Sequence, residues 1–358
     1  LVLAACGPNA REVAEQAAAR SPVLTPVLTV AVEAAAETSV AGNPTVDADD
    51  PVLWADAQDP SRALMIGTDK SIGLYVHDLS GRVLQFFPEG PLNNVDLRRG
   101  FPVNGEPRVL VAAAERDRFG IALFLIDEAA LRLTRYGYLE TPREFGEPYG
   151  FCMGQWGGET YLIANNKEGE ILAFRASHGA DGAPAMALAH RWKVGSQTEG
   201  CVVDDRTGAL FVGEEDVGIW QMSLARPEVA PALLHRVDGR RLVADVEGLT
   251  ILRDGAASYL IASSQGDSAF AVYRLGEIPP AWVGRFRVKG GATDPVTQTD
   301  GVDAWSGPIG PYRSGLLAMH DHCESDGPTD PPAALCDGNS KQQNYKLVDW
   351  RAVRAALG

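Results

Sequence analysis

A strand motif that recurs six times is the feature of this sequence that most constrains its fold. Apolar runs such as Ala63-Leu64-Met65-Ile66 begin at residues 63, 108, 160, 209, 258 and 315, so their starts are 45, 52, 49, 49 and 57 residues apart. A turn and a second apolar run follow most of them. A period of about 50 residues built from short strands is typical of the blades of a β-propeller. We therefore predict an all-β fold, a six-bladed β-propeller, over residues 44–354.

The first 43 residues lack this repeat and predict an export signal followed by a tether. Residues 1–6 (LVLAAC) resemble the end of a bacterial lipoprotein signal peptide in which Cys6 would be acylated; an ordinary signal peptide is the alternative. Residues 7–43 are rich in Ala, Pro, Glu and Thr without apolar periodicity, which predicts a tether. We expect an exported monomer, either secreted or lipid-anchored in a bacterial cell envelope, in the periplasm or on the outer surface.

The other four cysteines fall into two pairs. Cys323 and Cys336 bracket a loop rich in Pro, Gly and Asp, and in an exported protein they are predicted to form a disulfide. Cys152 and Cys201 lie in apolar, strand-like runs and are expected to be buried free thiols.

Acidic residues recur where the inner strand of each repeat begins. The six openings are Asp49-Asp50-Pro51, Asn94-Val95-Asp96, Pro148-Tyr149-Gly150, Thr198-Glu199-Gly200, Val246-Glu247-Gly248 and Thr299-Asp300-Gly301. Five of them carry a carboxylate, the other carries Tyr149, and Asp245 and Asp303 lie close by. Acidic turn formers commonly precede strands, but five in register would converge on one axis and repel. An all-oxygen cluster of this kind favours Ca²⁺.

A second position, after the next strand of each repeat, carries cations in three consecutive repeats. These are Lys70, Arg116 and Lys167; the following repeats offer Glu215, Gln265 and Asp321. Single solvated cations on loops rarely have a function, but three in register beside a predicted metal site suit a polyanion. The six histidines are scattered, with none in a strand-opening motif, and no Ser or Cys nucleophile motif is present.

The formal net charge of −15 excludes nucleic acid as a partner, because the protein would repel the phosphates. The same charge argues at first against any highly phosphorylated ligand. Bound calcium would reverse that expectation at the strand openings, because the ions add positive charge that the sequence does not count.

The ordered motifs over about residues 44–350 resemble the β-propeller phytases. They are Asp49-Asp50-Pro51, Leu92-Asn93-Asn94-Val95-Asp96, Tyr149-Gly150-Phe151, Lys167-Glu168-Gly169-Glu170, Ser196-Gln197-Thr198-Glu199-Gly200, Glu214-Glu215-Asp216, Asp245-Val246-Glu247-Gly248-Leu249-Thr250, Ser263-Ser264-Gln265-Gly266 and Thr299-Asp300-Gly301-Val302-Asp303. The resemblance implies a calcium-dependent enzyme that hydrolyses phosphate monoesters of myo-inositol hexakisphosphate, with a metal-bridging water as nucleophile. It implies several calcium ions, some structural and some catalytic.

The resemblance also implies roles for individual residues. The catalytic calcium ligands would be Tyr149, Glu199, Glu215, Glu247 and Asp300. A channel calcium would bind Asp245, Glu247 and Gln265, a structural calcium would bind Asp50, and Asp96 and Asp303 are further candidate ligands. Lys70, Arg116 and Lys167 would contact phosphate, with Lys70 and Arg116 also counted in the catalytic set. The family's common Lys-Lys pair is Lys70-Ser71 here, so one contact is either missing or supplied by Arg98 or Arg118.

Two other functions are compatible with a calcium-binding propeller. A calcium-dependent lactonase or esterase would be expected to place a histidine near the metal as a general base. A lipid-anchored propeller that binds a partner without catalysis would use calcium only for structure, and the fold alone does not exclude it. For a phytase, the function that the resemblance implies, the expected substrates are calcium phytate and other inositol phosphates.

Overall fold

Six small sheets arranged in a ring form the body of the protein. The computed structural model describes residues 27–39, 47–179, 182–324 and 343–358. Two N-terminal strands, β1 (Thr29–Glu33) and β2 (Ala36–Glu37), precede the first complete blade. A C-terminal helix, α1 (Trp350–Leu357), follows the last strand. Each sheet has four strands except one, which has five, and the prediction of a six-bladed β-propeller is confirmed.

The strands follow the predicted repeat. Blade 1 contains β3 (Ala48–Ala55), β4 (Ala63–Asp69), β5 (Gly73–His77) and β6 (Val83–Phe87). Blade 2 contains β7 (Leu92–Val103), β8 (Glu106–Glu115), β9 (Gly120–Asp127) and β10 (Arg132–Glu140). Blade 3 contains β11 (Gly150–Trp156), β12 (Glu159–Asn165), β13 (Glu170–His178) and β14 (Pro184–Lys193).

The second half of the ring is built in the same way. Blade 4 contains β15 (Thr198–Asp204), β16 (Ala209–Glu214), β17 (Gly218–Ser223) and β18 (Ala232–Arg236). Blade 5 contains β19 (Val246–Asp254), β20 (Ala257–Ser264), β21 (Ala269–Arg274) and β22 (Ala281–Lys289). Blade 6 contains β23 (Val302–Trp305), β24 (Leu316–Asp321) and β25 (Asn344–Asp349).

The core lies between the blades. Side chains alternate between the two faces of a strand, so Leu64 and Ile66 pack against blade 2 while Met65, between them, packs against blade 6. Each of the six apolar clusters joins two neighbouring blades in this way. The innermost strands contact one another in cyclic order and β23 returns to β3, which leaves a central channel along their axis.

The N-terminal strands close the ring. Strand β1 runs parallel to β22 at the outer edge of blade 5, and β2 pairs with β25 as the fourth strand of blade 6. Residues 29–37 thus belong to the propeller and not to the tether predicted for residues 7–43. The predicted lipobox at Cys6 and the rest of the predicted tether up to residue 26 lie outside the described residues.

A buried ammonium group ties the ring closure together. The Nζ atom of Lys346 on β25 donates to Glu37 on β2 and to Asp294, and lies 3.3 Å from Asp321 Oδ2 and 3.6 Å from Glu324 Oε2. Burial acts to lower the pKa of Lys346, but the surrounding carboxylates outweigh it and raise the pKa. The lysine therefore stays charged and serves as the cation of this acidic cluster.

We expect Lys346→Met to destabilise the protein far more than the same change at an exposed ion pair. Removing one partner of a buried ion pair costs about 3–5 kcal/mol, because the other charge is left without compensation. The matched control is Lys289→Met, because Lys289 lies 3.1 Å from Glu33 in an ion pair between β22 and β1 at the surface. This change should lower the free energy of unfolding by less than about 1 kcal/mol. Urea unfolding measures both, and equal losses would contradict the assigned role of Lys346.

A disulfide joins the innermost strands of blades 3 and 4. Cys152 and Cys201 are bonded across a Cα–Cα distance of 5.6 Å, so the expectation of two free thiols is wrong. Cys152 pairs with Ile163 and Cys201 pairs with Val212, which are equivalent positions on neighbouring blades. Their separation of 49 residues equals the repeat spacing at this point, and that match was the signal in the sequence.

The second pair of cysteines lies at the edge of the described residues. Cys323 is disulfide-bonded. Cys336 lies outside the described residues, so the pairing of Cys323 with Cys336 stays a prediction.

The Cys152→Ala/Cys201→Ala double variant should fold but unfold more easily. Closing a loop of 49 residues restricts the unfolded chain by about 4 kcal/mol in the chain-entropy model. Denaturant unfolding of the wild type, the double variant and the single Cys201→Ser variant measures this loss. Both variants should lose most of the cross-link energy, and a loss below about 1 kcal/mol would show that the bond contributes little.

Candidate active site

The predicted site residues gather at one mouth of the channel because glycines let the blades approach there. A Cβ atom on Gly150 would lie 2.0 Å from the carbonyl oxygen of Glu199, and one on Gly200 would lie 2.0 Å from that of Glu247. The N–H of Gly248 donates to Asp300 O at 3.1 Å. The residue before each of these glycines therefore lies close to its counterpart on the next blade.

The residues at the equivalent mouth position are Asp49, Asn93, Tyr149, Glu199, Glu247 and Asp300. Blade 2 thus contributes Asn93, whereas the sequence analysis put Asp96 in this register. Asn93 follows Leu92, which pairs with the last residue of β8, just as the mouth residues of blades 1, 4 and 5 follow the residues that pair with the ends of β4, β16 and β20. Asp96 lies beyond the bulge that these four blades share. Asn93 Nδ2 donates to Glu199 Oε1 at 2.7 Å, so this asparagine belongs to the site although its role was missed.

Three glutamates form the centre of the site. Carboxylate oxygens of Glu199, Glu215 and Glu247 all lie within 4.8 Å of one another. Burial first, and then the charges of neighbouring carboxylates, raises the pKa of all three. Asp245 lies near enough for its charge to raise the pKa of Glu215 and Glu247 further. Such a cluster is unfavourable unless protons or a cation neutralise it.

An ion pair occupies the side of the mouth between blades 6 and 1. Lys70 Nζ donates to Asp300 Oδ2 at 2.8 Å and lies 3.5 Å from Asp49 Oδ1. Burial alone would raise the pKa of Asp300, but Lys70 lowers it to about 2. Gln265 Nε2 also donates to Asp300. Asp300 is therefore ionised and tied to two predicted site residues.

The two other predicted cations surround Tyr149. Arg116 lies with Cζ 5.3 Å from the centre of the Tyr149 ring, and Lys167 Nζ lies 4.2 Å from it. Arg116 Nε donates to Glu147 Oε1 at 2.5 Å, and Nη1 donates to Asn93 Oδ1 at 3.4 Å. The aromatic ring of Tyr149 thus contacts both basic side chains and lies between them and the glutamates. Glu147 is a second residue that the sequence analysis missed.

Three predicted metal ligands lie further along the channel wall, where they bond to the next blade. These hydrogen bonds are Val95 N to Asp50 Oδ2 (3.0 Å), Met153 N to Asp96 Oδ2 (2.8 Å) and Leu53 N to Asp303 Oδ2 (2.8 Å). Burial raises the pKa of all three carboxyls, that of Asp303 to about 6. They line a channel cavity of about 390 Å³ and are apart from the three central glutamates.

The arginines considered as replacements for a second lysine are engaged elsewhere. Arg98 pairs with Asp96 and Asp205 in the channel wall, at 2.8 and 2.9 Å. The Arg118 guanidinium stacks on the Tyr138 ring at 4.2 Å and pairs with Glu115. None of these partners belongs to the loop that carries Lys70. Neither arginine therefore takes the place of the second lysine.

Blade 6 contributes histidines, contrary to the sequence analysis. The N–H of Asp300 donates to His320 Nδ1 at 2.9 Å, so a histidine lies directly behind a mouth residue. Asp321, predicted at the rim, is fully buried beside Lys346. Because β24 ends at Asp321 as β4 ends at Asp69, the residue that matches Lys70 in blade 6 is His322.

A family model, a curated protein and a solved structure resemble this chain. A model of the family described as Phytase matches residues 12–358. The 3-phytase of Bacillus subtilis (strain 168) is 34% identical over 323 residues, covering 87% of this chain and 81% of that protein. A crystal structure of Chaetomium thermophilum Sqt1 bound to the N-terminus of ribosomal protein L10 has a TM-score of 0.42 and 13% identity, over 74% of this chain and 70% of the other.

Among the described residues, no helix is both long and apolar enough to cross a membrane.

Proposed function

This chain belongs to the phytase family and is a phosphoric monoester hydrolase, and we propose that it is a calcium-dependent phytase acting on myo-inositol hexakisphosphate. The observation that supports calcium dependence is the cluster of Glu199, Glu215 and Glu247, whose oxygens lie within 4.8 Å of one another. The proposed substrates are calcium phytate and other inositol phosphates.

The donor set at the mouth fits calcium. It consists of carboxylate, amide and phenol oxygens, which suit a hard cation that takes 6–8 oxygen ligands. Within the described part of the chain, Glu247 Oε2 is buried without a hydrogen-bond partner, as expected of an atom that a cation would complete. The residues that would hold calcium are Tyr149, Glu199, Glu215, Glu247 and Asp300, with Asp245 and Gln265 beside them. Asp50, Asp96 and Asp303 remain proposals for other ions.

The phosphate ester would be bound and oriented between basic side chains on one side and calcium held by the carboxylates on the other. Lys70, Arg116 and Lys167 would donate to its equatorial oxygens, since charge-assisted contacts of this kind suit a dianion. Glu147 holds the Arg116 guanidinium against Tyr149 and so fixes its direction. Calcium, when bound, would neutralise the ester and lower the pKa of the attacking water. No covalent nucleophile from the protein is needed.

The structure removes one argument against the rival enzymatic function but offers no free base in its place. A lactonase or esterase was expected to place a histidine at the mouth, and His320 is there. Its Nδ1 accepts the N–H of Asp300 and its Nε2 lies 3.1 Å from Gln343 Oε1, so both ring nitrogens are occupied. The Nδ1 atom of the neighbouring His322 is likewise engaged, 3.1 Å from Gln343 Nε2. Membership of a hydrolase family also decides against a propeller that only binds. Export to the cell envelope or medium, a lipid anchor at Cys6 and a monomeric state remain proposals.

We expect Glu215→Gln to abolish phosphate release while the fold stays intact. The amide keeps the shape of the side chain and its contact with Gln197, which is 2.8 Å from Glu215 Oε1 in the wild type, but removes a charge from the central cluster. Phosphate release from calcium phytate measures the effect, with circular dichroism for the fold. Glu170→Gln, at an exposed ion pair with Arg191 on blade 3, is the matched control. Near-normal activity of Glu215→Gln at saturating Ca²⁺, or a wild type that cleaves a lactone or aryl ester but no phytate, would contradict the proposal.

Calcium should stabilise the protein more at high pH than at low pH. In the metal-free protein the raised pKa values of Glu199, Glu215 and Glu247 favour folding below the unfolded value of about 4.3, and this contribution is lost as the pH rises through the folded values. Calcium binds the deprotonated carboxylates, so its binding releases protons and strengthens as the pH rises. The increase in Tm on adding CaCl₂ should therefore be larger near about pH 8 than near about pH 5.5.

The controls separate specific binding from screening. NaCl of equal ionic strength should not reproduce the increase in Tm, and EDTA should remove it together with activity. Glu247→Gln should reduce the pH dependence of the increase, because one carboxylate of the cluster is gone. The same increase in Tm at both pH values would argue against calcium binding by these glutamates.

A further inference from the structure

A chain of hydrogen bonds runs from the mouth residue of blade 6 back to the rim. The N–H of Asp300 donates to His320 Nδ1 at 2.9 Å, and His320 Nε2 lies 3.1 Å from Gln343 Oε1. Gln343 Nε2 lies 3.1 Å from His322 Nδ1. His320 is fully buried and Gln343 is buried, so neither ring nor amide is free to exchange these partners for water.

The backbone N–H at one end of this chain sets the proton positions along all of it. A peptide N–H only donates, so His320 Nδ1 must accept and the His320 proton lies on Nε2. Gln343 Oε1 then accepts that proton, and the Gln343 amide group must donate to His322 Nδ1. Because its Nδ1 is an acceptor, neutral His322 carries its proton on Nε2. Within the described residues, His322 Nε2 has no hydrogen-bond partner.

His322 lies on the same rim as the proposed phosphate-binding residues. His322 follows the last residue of β24 as Lys70 follows the last residue of β4, and blades 6 and 1 are neighbours in the ring. The charged groups around its half-buried ring are Asp300, Lys70 and Asp47. The loop is also fixed, because the N–H of His322 donates to Thr297 O at 3.1 Å. Four consecutive blades, 6 to 3, thus present N–H donors at the same rim.

We propose that His322 is a substrate-binding residue, a neutral imidazole whose Nε2–H donates to a phosphate oxygen beside Lys70. His320 and Gln343 are positioning residues that fix its tautomer. This inference rests on the proposed phytase function for the identity of the substrate. The ligand class that the site requires is a polyanion with several phosphate-like groups, one of them at the edge of the mouth formed by blades 6 and 1.

The tautomer can be tested without any activity. Long-range ¹H–¹⁵N correlation spectra of the ¹⁵N-histidine-labelled full chain, with His322→Ala for assignment, distinguish a protonated Nε2 from a protonated Nδ1. We expect the Nε2–H form in the wild type. Gln343→Glu presents two acceptor oxygens in place of one acceptor and one donor, and should move the His322 proton to Nδ1. A wild-type ring protonated on Nδ1, or an unchanged proton position in Gln343→Glu, would overturn the proposal.

The kinetic test uses His322→Ala with phytate in the presence of Ca²⁺. Loss of a hydrogen bond to a charged phosphate should raise KM by about tenfold to a hundredfold, while kcat changes little, because the contact exists in both ground and transition states. His322→Gln restores an N–H donor and should show a smaller rise in KM, and Gln343→Glu should follow His322→Ala. His190→Ala on the outer strand β14 is the control that should leave KM unchanged. A KM for His322→Ala within twofold of the wild type would overturn the proposal.

Failure of this inference differs from failure of the proposed function. If the wild type releases no phosphate from phytate, the proposed function fails whatever His322 does. Calorimetric binding of myo-inositol hexasulfate in the presence of Ca²⁺ then still tests the site. Weaker binding by His322→Ala than by the wild type supports the assigned contact, and equal binding overturns it.

Discussion

The close approach of neighbouring blades at one mouth of the channel is the constraint on which the candidate site depends. Glycine follows the mouth residue in four blades, because a side chain there would meet the backbone of the next blade, as at Gly150 and Gly200. The approach brings Glu199 and Glu247 together, and the loop after β16 adds Glu215. The close packing of the blades thus brings these carboxylates together, and protons or a bound cation must offset their mutual repulsion.

Among the residues that the structure describes, two clusters of carboxylates differ in how they are neutralised. At the ring closure, Lys346 places an ammonium group among Glu37, Asp294 and Asp321, so the cation is part of the chain. At the mouth, Lys70 is drawn to Asp300 and Asp49, which leaves the three central glutamates with raised pKa values. An internal cation suits a permanent structural joint. A carboxylate cluster without an internal cation can be neutralised by an exchangeable one. Such a cluster suits a site that binds an anion through that cation.

Much of this could be predicted from the sequence, because blade repeats place equivalent residues in equivalent positions. Tyr149, Glu199, Glu247 and Asp300 were found in this way, as were the strands and the number of blades. What failed depended on shifts of one to three residues along a strand or on distant partners. Asn93 holds the mouth position of blade 2, three residues before the expected Asp96, and the end of β24 put His322 where Asp321 was expected. Strand β2 was missed because its partner, β25, lies about 310 residues away along the chain.

The distribution of charge around the rim explains how a protein of net charge −15 can bind a polyphosphate. N–H donors come from Lys70, Arg116 and Lys167 on three consecutive blades, while the carboxylates of the central cluster come from the blades opposite. Under the proposed function, the acidic half would repel phosphate until calcium occupies it. Binding of a polyanion and binding of calcium should therefore be mutually dependent, because each supplies the charge that the other requires.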